Sequence, residues 1–245
     1  MAERPIRVHE LPSCDSTQDE LRALAAAGAP VFTSVRADVQ LAGRGRRGRS
    51  WEAQAGTALL VSILLRPERP AHELPVLSLA GGVAAVECAR SFGADAGLSW
   101  PNDVVCAGRK LAGVLAELGP EGCVLLGIGM NLAAQASDLP PADRLTPTSL
   151  LLETGAAPSP TAALGALLDA LRPLASAFDA EGPGAIAARA RPLDTLAGSA
   201  VQLRLASGGL VEGTAAGIAD DGSLLVRAPG GGVLTYASGE VVRLT

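Results

Sequence analysis

The chain has 245 residues, enough to bury a real core and to hold one large and one small domain. With 48% hydrophobic and 18% charged residues it has the balance of an ordinary globular protein, and at 2% aromatic content its core must be built from Leu, Val and Ala. A net charge of −5 argues against general nucleic-acid binding, which needs a broad basic surface.

After a short first strand, Asp15-Ser16-Thr17-Gln18-Asp19-Glu20 opens a helix. Thr17 and Glu20 have capping-box spacing, and Gly28 with Pro30 closes the element. Val31–Ala37 reads as a strand that delivers the chain to Gly43-Arg44-Gly45-Arg46-Arg47-Gly48-Arg49-Ser50-Trp51. Three glycines there let the backbone fold tightly and expose its N–H groups. Four guanidiniums packed this closely repel one another unless an anion sits among them. The loop reads as a cradle for a polyphosphate or phosphoanhydride, ordered when that ligand arrives. Formally it also satisfies G-x-G-x-x-G, but no strand–loop–helix unit surrounds it and arginines would crowd a dinucleotide. Trp51 leaves two readings open, core filling or stacking on an adenine.

Thr57–Leu65 is a near-continuous apolar run and predicts a buried strand, followed by a helix over Pro75–Phe92 despite Gly81-Gly82. Leu98–Trp100 is a short strand leading into Pro101-Asn102-Asp103, which is good turn chemistry. The functional reading of that turn sets an amide and a carboxylate beside a nucleotide or its Mg²⁺. Leu111–Leu118 and Cys123–Leu132 are strands joined by four residues, hence an antiparallel hairpin. Gly113 and Gly127-Ile128-Gly129 notch these two strands. Facing glycines leave a slot for a flat or slender ligand, unless they only accommodate core packing.

Thr148–Thr154 and Pro160–Ala180 read as helices, with Pro173 a kink or break, and Gly182–Arg191 reads as the approach to a boundary. From about Pro192 the texture changes to short strands separated by Ser207-Gly208-Gly209, Asp220-Asp221-Gly222 and Gly230-Gly231-Gly232, the pattern of a small β-barrel.

Lys110 is the only lysine beside nineteen arginines. Arginine serves wherever positive charge alone is needed. Lys110 is therefore a candidate for placing a compact point charge on a reacting oxygen; the plainer alternative is a surface charge closing a turn. The only histidines are His9 and His72, too few for a His-rich metal site. Cys14, Cys88, Cys106 and Cys123 have no metal-ligand or redox spacing and read as reduced, buried thiols. No apolar run reaches membrane-spanning length and no signal-peptide core is visible, which points to the cytoplasm.

Taken in order, Asp15-Ser16-Thr17-Gln18, Gln40-Leu41-Ala42 with the Gly/Arg loop through Trp51, Trp100-Pro101-Asn102-Asp103, Arg109-Lys110-Leu111-Ala112-Gly113 through Glu117, and Gly127-Ile128-Gly129-Met130-Asn131 resemble the biotin–protein ligases (biotin–[acetyl-CoA-carboxylase] ligases). The resemblance implies an α+β fold: a mixed, largely antiparallel sheet with flanking helices, like class II synthetases, over residues 1–192. A small C-terminal SH3-like β-barrel over 193–245 would follow. It implies ATP and biotin as substrates with Mg²⁺, and an adenylate passed to a lysine of a biotin carboxyl carrier domain of an acyl-CoA or pyruvate carboxylase.

By the same resemblance Ser16, Thr17, Gln18, Gln40, Gly43, Gly113, Gly127 and Gly129 surround biotin, and Arg44, Gly45 and Arg46 form the ligand-ordered loop. Arg46, Arg47, Arg49, Trp51, Asn102 and Asn131 hold ATP or the adenylate. Lys110 reaches biotin's carboxylate and the α-phosphate, and with Arg44 and Arg46 forms the catalytic set; metal ligands stay unassigned. Members often carry Lys before Trp-Pro-Asn-Asp, where this chain has Ser99. The motif begins by residue 15, so the expectation is a ligase without an N-terminal DNA-binding arm, a monomer or homodimer, binding neither DNA nor membrane. Lipoate or octanoate ligation, on the same fold, and a non-catalytic binding module are the competing readings.

Overall fold

All eight residues of the strand Ala58–Leu65 (β3) are buried. A strand apolar on both faces must lie inside a sheet with packing on either side. The computed structural model, which describes residues 7–142, 144–205 and 208–244, places it there. β3 pairs antiparallel with β2 (Ser34–Gln40) on one side and β7 (Val124–Asn131) on the other. β7 forms the predicted hairpin with β6 (Arg109–Leu118), and β5 (Asp103–Cys106) and β4 (Ala96–Ser99) extend the sheet. At the far edge β1 (Val8–Cys14) pairs parallel with β2, giving the order β1-β2-β3-β7-β6-β5-β4.

Alternation along β6 and β7 divides the molecule. Val114, Leu126, Ile128 and Met130 face the main core, built with helices α2 (Leu77–Ser91), α4 (Pro160–Glu181) and α5 (Pro183–Ala190). On the opposite face α1 (Thr17–Ala26) covers Val35, Leu64 and Leu125 with Leu21 and Ala25. The strip carrying Gly113, Gly127 and Gly129 is left for the site. In α2 the glycine pair sits where the helix meets the sheet: a Cβ on Gly81 would stand 2.8 Å from Val114 Cγ1, and one on Gly82 2.6 Å from Leu98 Cδ1. The stretch Ala71–Ser91 is long and apolar enough to pass as a membrane span by length and composition, contrary to the expectation above. It is mostly buried within the protein, as a core helix is.

Several boundaries differ from the sequence reading for local reasons. Ser16, not Thr17, caps α1, its hydroxyl accepting from the Gln18 amide. β2 begins at Ser34 because Phe32 turns at φ 64°. β5 begins at Asp103, the last residue of the expected Pro101-Asn102-Asp103 turn, and makes a strand that the sequence reading did not include. α4 runs through Pro173, which is no break: Leu164, Leu167, Leu168, Leu171, Leu174 and Phe178 form a continuous buried stripe. Residues 183–190 are helical rather than linker, with Pro183 at the first turn and Ile186, Ala187 and Ala190 buried. The four cysteines are buried and free, and burial raises their pKa, to about 12 for Cys88.

The C-terminal strands β8 (Ala200–Arg204), β9 (Leu210–Ile218), β10 (Leu224–Arg227), β11 (Val233–Tyr236) and β12 (Glu240–Arg243) form a second, antiparallel sheet in the order β11-β10-β9-β8-β12. Ser207, in one predicted turn, lies outside the described residues. The small sheet is pinned to the large one by Trp100, fully buried, whose Nε1 donates to Gly222 O at 3.0 Å. Gly222 itself packs on Val76 and Leu79, and Thr195 N donates to Leu98 O at 2.9 Å. This docking holds the start of β12, with Glu240, at the rim of the glycine strip.

Asp194 lies at this junction. Its Oδ1 accepts from Leu196 N at 2.9 Å, while Oδ2 is buried without a partner. Burial holds its pKa above the ordinary carboxylate value. A raised folded-state pKa in an acid means that ionisation opposes folding: the penalty is absent below about pH 4 and grows as pH rises toward the folded value. Asp194→Asn keeps the Oδ1 acceptor without the charge. Its melting temperature should exceed the parent's at pH 7, with the difference vanishing near pH 4; a variant less stable at pH 7 would refute the buried-charge account.

Candidate active site

Gly113 and Gly129 face each other across the β6–β7 pair. They do not leave an open slot, as the sequence suggested; the indole of Trp51 lies in it. A Cβ on Gly129 would stand 2.4 Å from Trp51 Cε2, and one on Gly113 3.1 Å from Cζ3. Gly127, two residues back on the same face, makes room for Gln18 instead, whose Nε2 lies 2.8 Å from the position of its Cβ. Two buried polar atoms on this floor lack partners: Trp51 Nε1, a donor, and Gln18 Oε1, an acceptor. The Gln18 amide is oriented by its other end, Nε2 donating to Leu115 O at 3.0 Å and Leu125 O at 3.3 Å.

Beside this floor Gln40 Oε1 accepts from both Thr17 N (2.8 Å) and Thr17 Oγ1 (3.0 Å), and Thr17 Oγ1 lies 2.8 Å from Ser62 Oγ. The α1 cap and the end of β2 thus form one rigid polar wall with Ser16. Asn131, at the end of β7, donates Nδ2 to Thr148 O at 2.8 Å.

The Gly/Arg loop is a small hairpin. Trp51 N donates to Gly43 O at 2.9 Å and Gly45 N to Arg49 O at 2.7 Å. Gly43 is required by this closure, since a Cβ would stand 2.3 Å from Trp51 O, and Gly48 by its φ of 75°. Gly45 meets nothing closer than 3.6 Å, so the loop's own packing does not explain it; bare backbone there suits approach by a ligand.

Its arginines divide. Arg44 turns to α1 and pairs with Asp19 through two bonds of 2.7 and 2.8 Å, which raises the Arg44 pKa and lowers that of Asp19. Arg46 points inward and donates to Asn102 Oδ1 at 3.1 Å. Burial lowers its pKa; Arg47, Arg49 and Arg144 push the same way while Asp103 opposes. Arg47 and Arg49 reach the C-terminal sheet, where both pair with Glu240.

Lys110 arrives by a register slip. Val104 lies opposite Ala112 but Val105 lies opposite Lys110, a β-bulge that turns the lysine onto the face of Gly113. Its Nζ is 3.4 Å from where a Gly113 Cβ would stand, 5.4 Å from the Trp51 ring centroid and 2.8 Å from Asp103 Oδ1. Asp103, 2% exposed, also pairs with Arg144, which donates to Val241 O at 2.5 Å. The cleft therefore has an apolar, glycine-floored end with polar walls and a strongly cationic end, with Lys110 at the junction.

The family model for the biotin/lipoate A/B protein ligase family matches residues 12–131, and that for the biotin protein ligase C terminal domain matches 197–244. The biotin--[acetyl-CoA-carboxylase] ligase of Mycobacterium tuberculosis is 36% identical over 235 residues, covering 94% of this chain and 86% of that one. The chain belongs to the biotin/lipoate A/B protein ligase family. A biotin protein ligase from Aquifex aeolicus, solved in complex with biotin and ATP, superposes with a TM-score of 0.84 at 26% identity, over 97% of this chain and 99% of that one. The bifunctional ligase/repressor BirA of Bacillus spizizenii is 38% identical over 145 residues, and the match takes in 45% of its length.

Within this family member all the sequence-predicted site residues line or flank one cleft. Arg144 and Glu240 also line it, and sequence reasoning missed both: they sit in featureless loop and tail, and only folding brings them to Asp103 and the loop arginines. Asp103 itself reads from the sequence as turn chemistry or as a carboxylate beside a nucleotide or its Mg²⁺, and its pairing with Lys110 and Arg144 is not legible there.

Gly129→Ala puts a methyl group into the Trp51 ring, so the indole must leave its bed. Of the two tryptophans Trp100 is buried elsewhere, so the change is readable. Trp51 emission should shift to longer wavelength and become accessible to acrylamide; a spectrum identical to the parent's would show that the ring does not rest on Gly129.

Proposed function

We propose that the chain is an ATP-dependent biotin–protein ligase. The observation that carries this reading is the placement of Lys110 between the glycine-floored end of the cleft and its arginine-rich end. A slender apolar acid lying beside the Trp51 indole that fills this floor would present its carboxylate at Lys110 Nζ, and a polyphosphate at the cationic end would present its α-phosphorus to that carboxylate.

Carboxylate oxygen attacks the α-phosphorus of ATP, pyrophosphate leaves, and biotinyl-5′-adenylate forms. An acceptor lysine, as the free amine, then attacks the acyl carbon; the amide forms, AMP leaves and the amine's proton passes to solvent. Neither step needs an enzyme nucleophile, and the four thiols, buried with raised pKa, are unsuited to be one. The protein's tasks are alignment and charge. Lys110 and Arg46 screen two anions from each other, and each such preorganised donor is worth roughly 3–4 kcal/mol at developing phosphate charge. Thr17, Gln40, Ser16 and the free Gln18 Oε1 suit the donors and acceptor of a ureido ring. Trp51, Asn102 and Asn131 bracket the adenylate, with Arg47 and Arg49 on the phosphates.

Among the described residues no group of three or more His, Cys, Asp or Glu side chains could hold a metal, and Asp103 is already paired with two cations. Mg²⁺ would enter on the triphosphate as part of the substrate. The acceptor in this reading is a biotin carboxyl carrier domain, and the organisation is a catalytic domain over 1–192 with a small domain over 193–245.

With biotin and MgATP the purified chain should add one biotinyl group to a single lysine of a carrier domain, read by intact mass. No addition with biotin, or addition only when lipoate replaces it, would remove the biotin reading. Lys110→Arg should slow single-turnover adenylation about 100-fold or more while biotin affinity stays near the parent's; near-parental turnover would take Lys110 out of the chemistry. Arg46→Gly should release adenylate to solvent faster than the parent, seen as biotin-dependent AMP production without an acceptor; slow release would contradict the role of the loop as a cover.

A further inference from the structure

Among the described residues six cationic side chains line the cleft (Arg44, Arg46, Arg47, Arg49, Lys110 and Arg144) against three carboxylates, Glu52, Asp103 and Glu240. Arg44 is bound outward to Asp19, and Glu52 is tied to Ser50. What remains at the cationic end is five positive charges gathered around Asp103 and Glu240. Such a cluster is stable only with anions among its members. Arg144 touches both of these carboxylates.

Its guanidinium is held firmly at one end: it donates to Asp103 and, through Nη1, to Val241 O. The side chain is 13% exposed. At the other end Nε is buried and has no hydrogen-bond acceptor; Glu240 Oε1 lies 3.8 Å away, beyond hydrogen-bond reach. An arginine aimed at the site with one N–H unsatisfied is set up to receive an acceptor oxygen. Ser99, the strand partner of Asp103, carries no charge, so the cations paired with this carboxylate come from elsewhere: Lys110 from the same sheet and Arg144 from the loop before α3 (Leu150–Thr154).

We propose that Arg144 is a further polyphosphate-binding residue of the site, anchored on Asp103 and donating Nε–H to a phosphate oxygen that takes the position the Glu240 carboxylate approaches without ligand. The inference rests on the ligase reading for the identity of the nucleotide, but not for its class of ligand. In it Glu240 stands in for the anion, and binding of the polyphosphate loosens the hold of the C-terminal sheet on Arg47 and Arg49. A tie that only joins the two sheets would use the same contacts, and the two roles separate in solution.

The test uses the full chain with Arg144→Gln and Arg144→Lys, titrated calorimetrically with inorganic tripolyphosphate and with biotin, and assayed for the KM of ATP in biotin-dependent pyrophosphate exchange. In Arg144→Gln the tripolyphosphate Kd and the ATP KM should rise about 10- to 100-fold, the loss expected for one charge-assisted bond. Biotin affinity should stay within about twofold, and Arg144→Lys should recover part of the loss. Unchanged tripolyphosphate and ATP constants would overturn the proposal. So would a parallel loss for ATP and biotin with a lowered melting temperature and no rescue by lysine, the signature of a structural tie. If the parent shows no exchange yet the Gln variant loses tripolyphosphate binding, the ligase reading fails and the role of Arg144 stands. Normal exchange with an unmoved ATP KM leaves the ligase reading intact and removes Arg144 from the polyphosphate site.

Discussion

The cationic end of this cleft is governed by the cost of crowding like charges. Arg46, Arg47, Arg49, Lys110 and Arg144 are brought within one cleft by three separate segments, and in low dielectric their mutual repulsion is severe. The fold answers with two carboxylates from opposite sides, Asp103 at the start of a sheet strand and Glu240 at the start of the last strand of the small sheet. The pairing keeps the cluster intact without neutralising it. The surplus of positive charge suits the polyphosphate proposed to bind there, and the pairing also ties the C-terminal sheet to the Gly/Arg loop.

The apolar end obeys a different constraint, the thickness of a side chain. Gly113 and Gly129 lower the floor of the sheet by one Cβ layer, and Trp51 lies in the depression with Lys110 over its ring. Because Trp51 N is bonded to Gly43 O, the position of the indole is coupled to closure of the Gly/Arg loop. A loop that closed over a ligand, as proposed above, would therefore carry the ring with it. In the proposed adenylate chemistry a cover of this kind would strengthen the electrostatics beneath it and keep water from a hydrolysable anhydride.

Much of this was legible in the sequence because it is written in local composition. The Gly/Arg loop, the glycine-notched hairpin and the lone lysine are short patterns, and the buried run of β3 announces a central strand. What was illegible depends on register and distance. The bulge that turns Lys110 onto the glycine face leaves no local mark, since Arg-Lys-Leu-Ala-Gly reads as a strand in either register. The notch looked vacant because nothing in Gly127-Ile128-Gly129 says that an indole from far earlier in the chain fills it. Arg144 and Glu240 carry no motif, and their meaning comes only from Asp103 and the loop they meet. The helix over 183–190 was hidden by Gly and Pro, which at a helix start favour the element they elsewhere break.

In the proposed reaction this cleft joins a carboxylate to the α-phosphorus of ATP with no enzyme nucleophile and no acceptor present. Exchange of labelled pyrophosphate into ATP, measured on the purified chain with Mg²⁺ and biotin, lipoate or octanoate, tests it directly. Exchange should depend on biotin and be absent with the other two acids. Exchange without any added acid, or none with biotin, would contradict it.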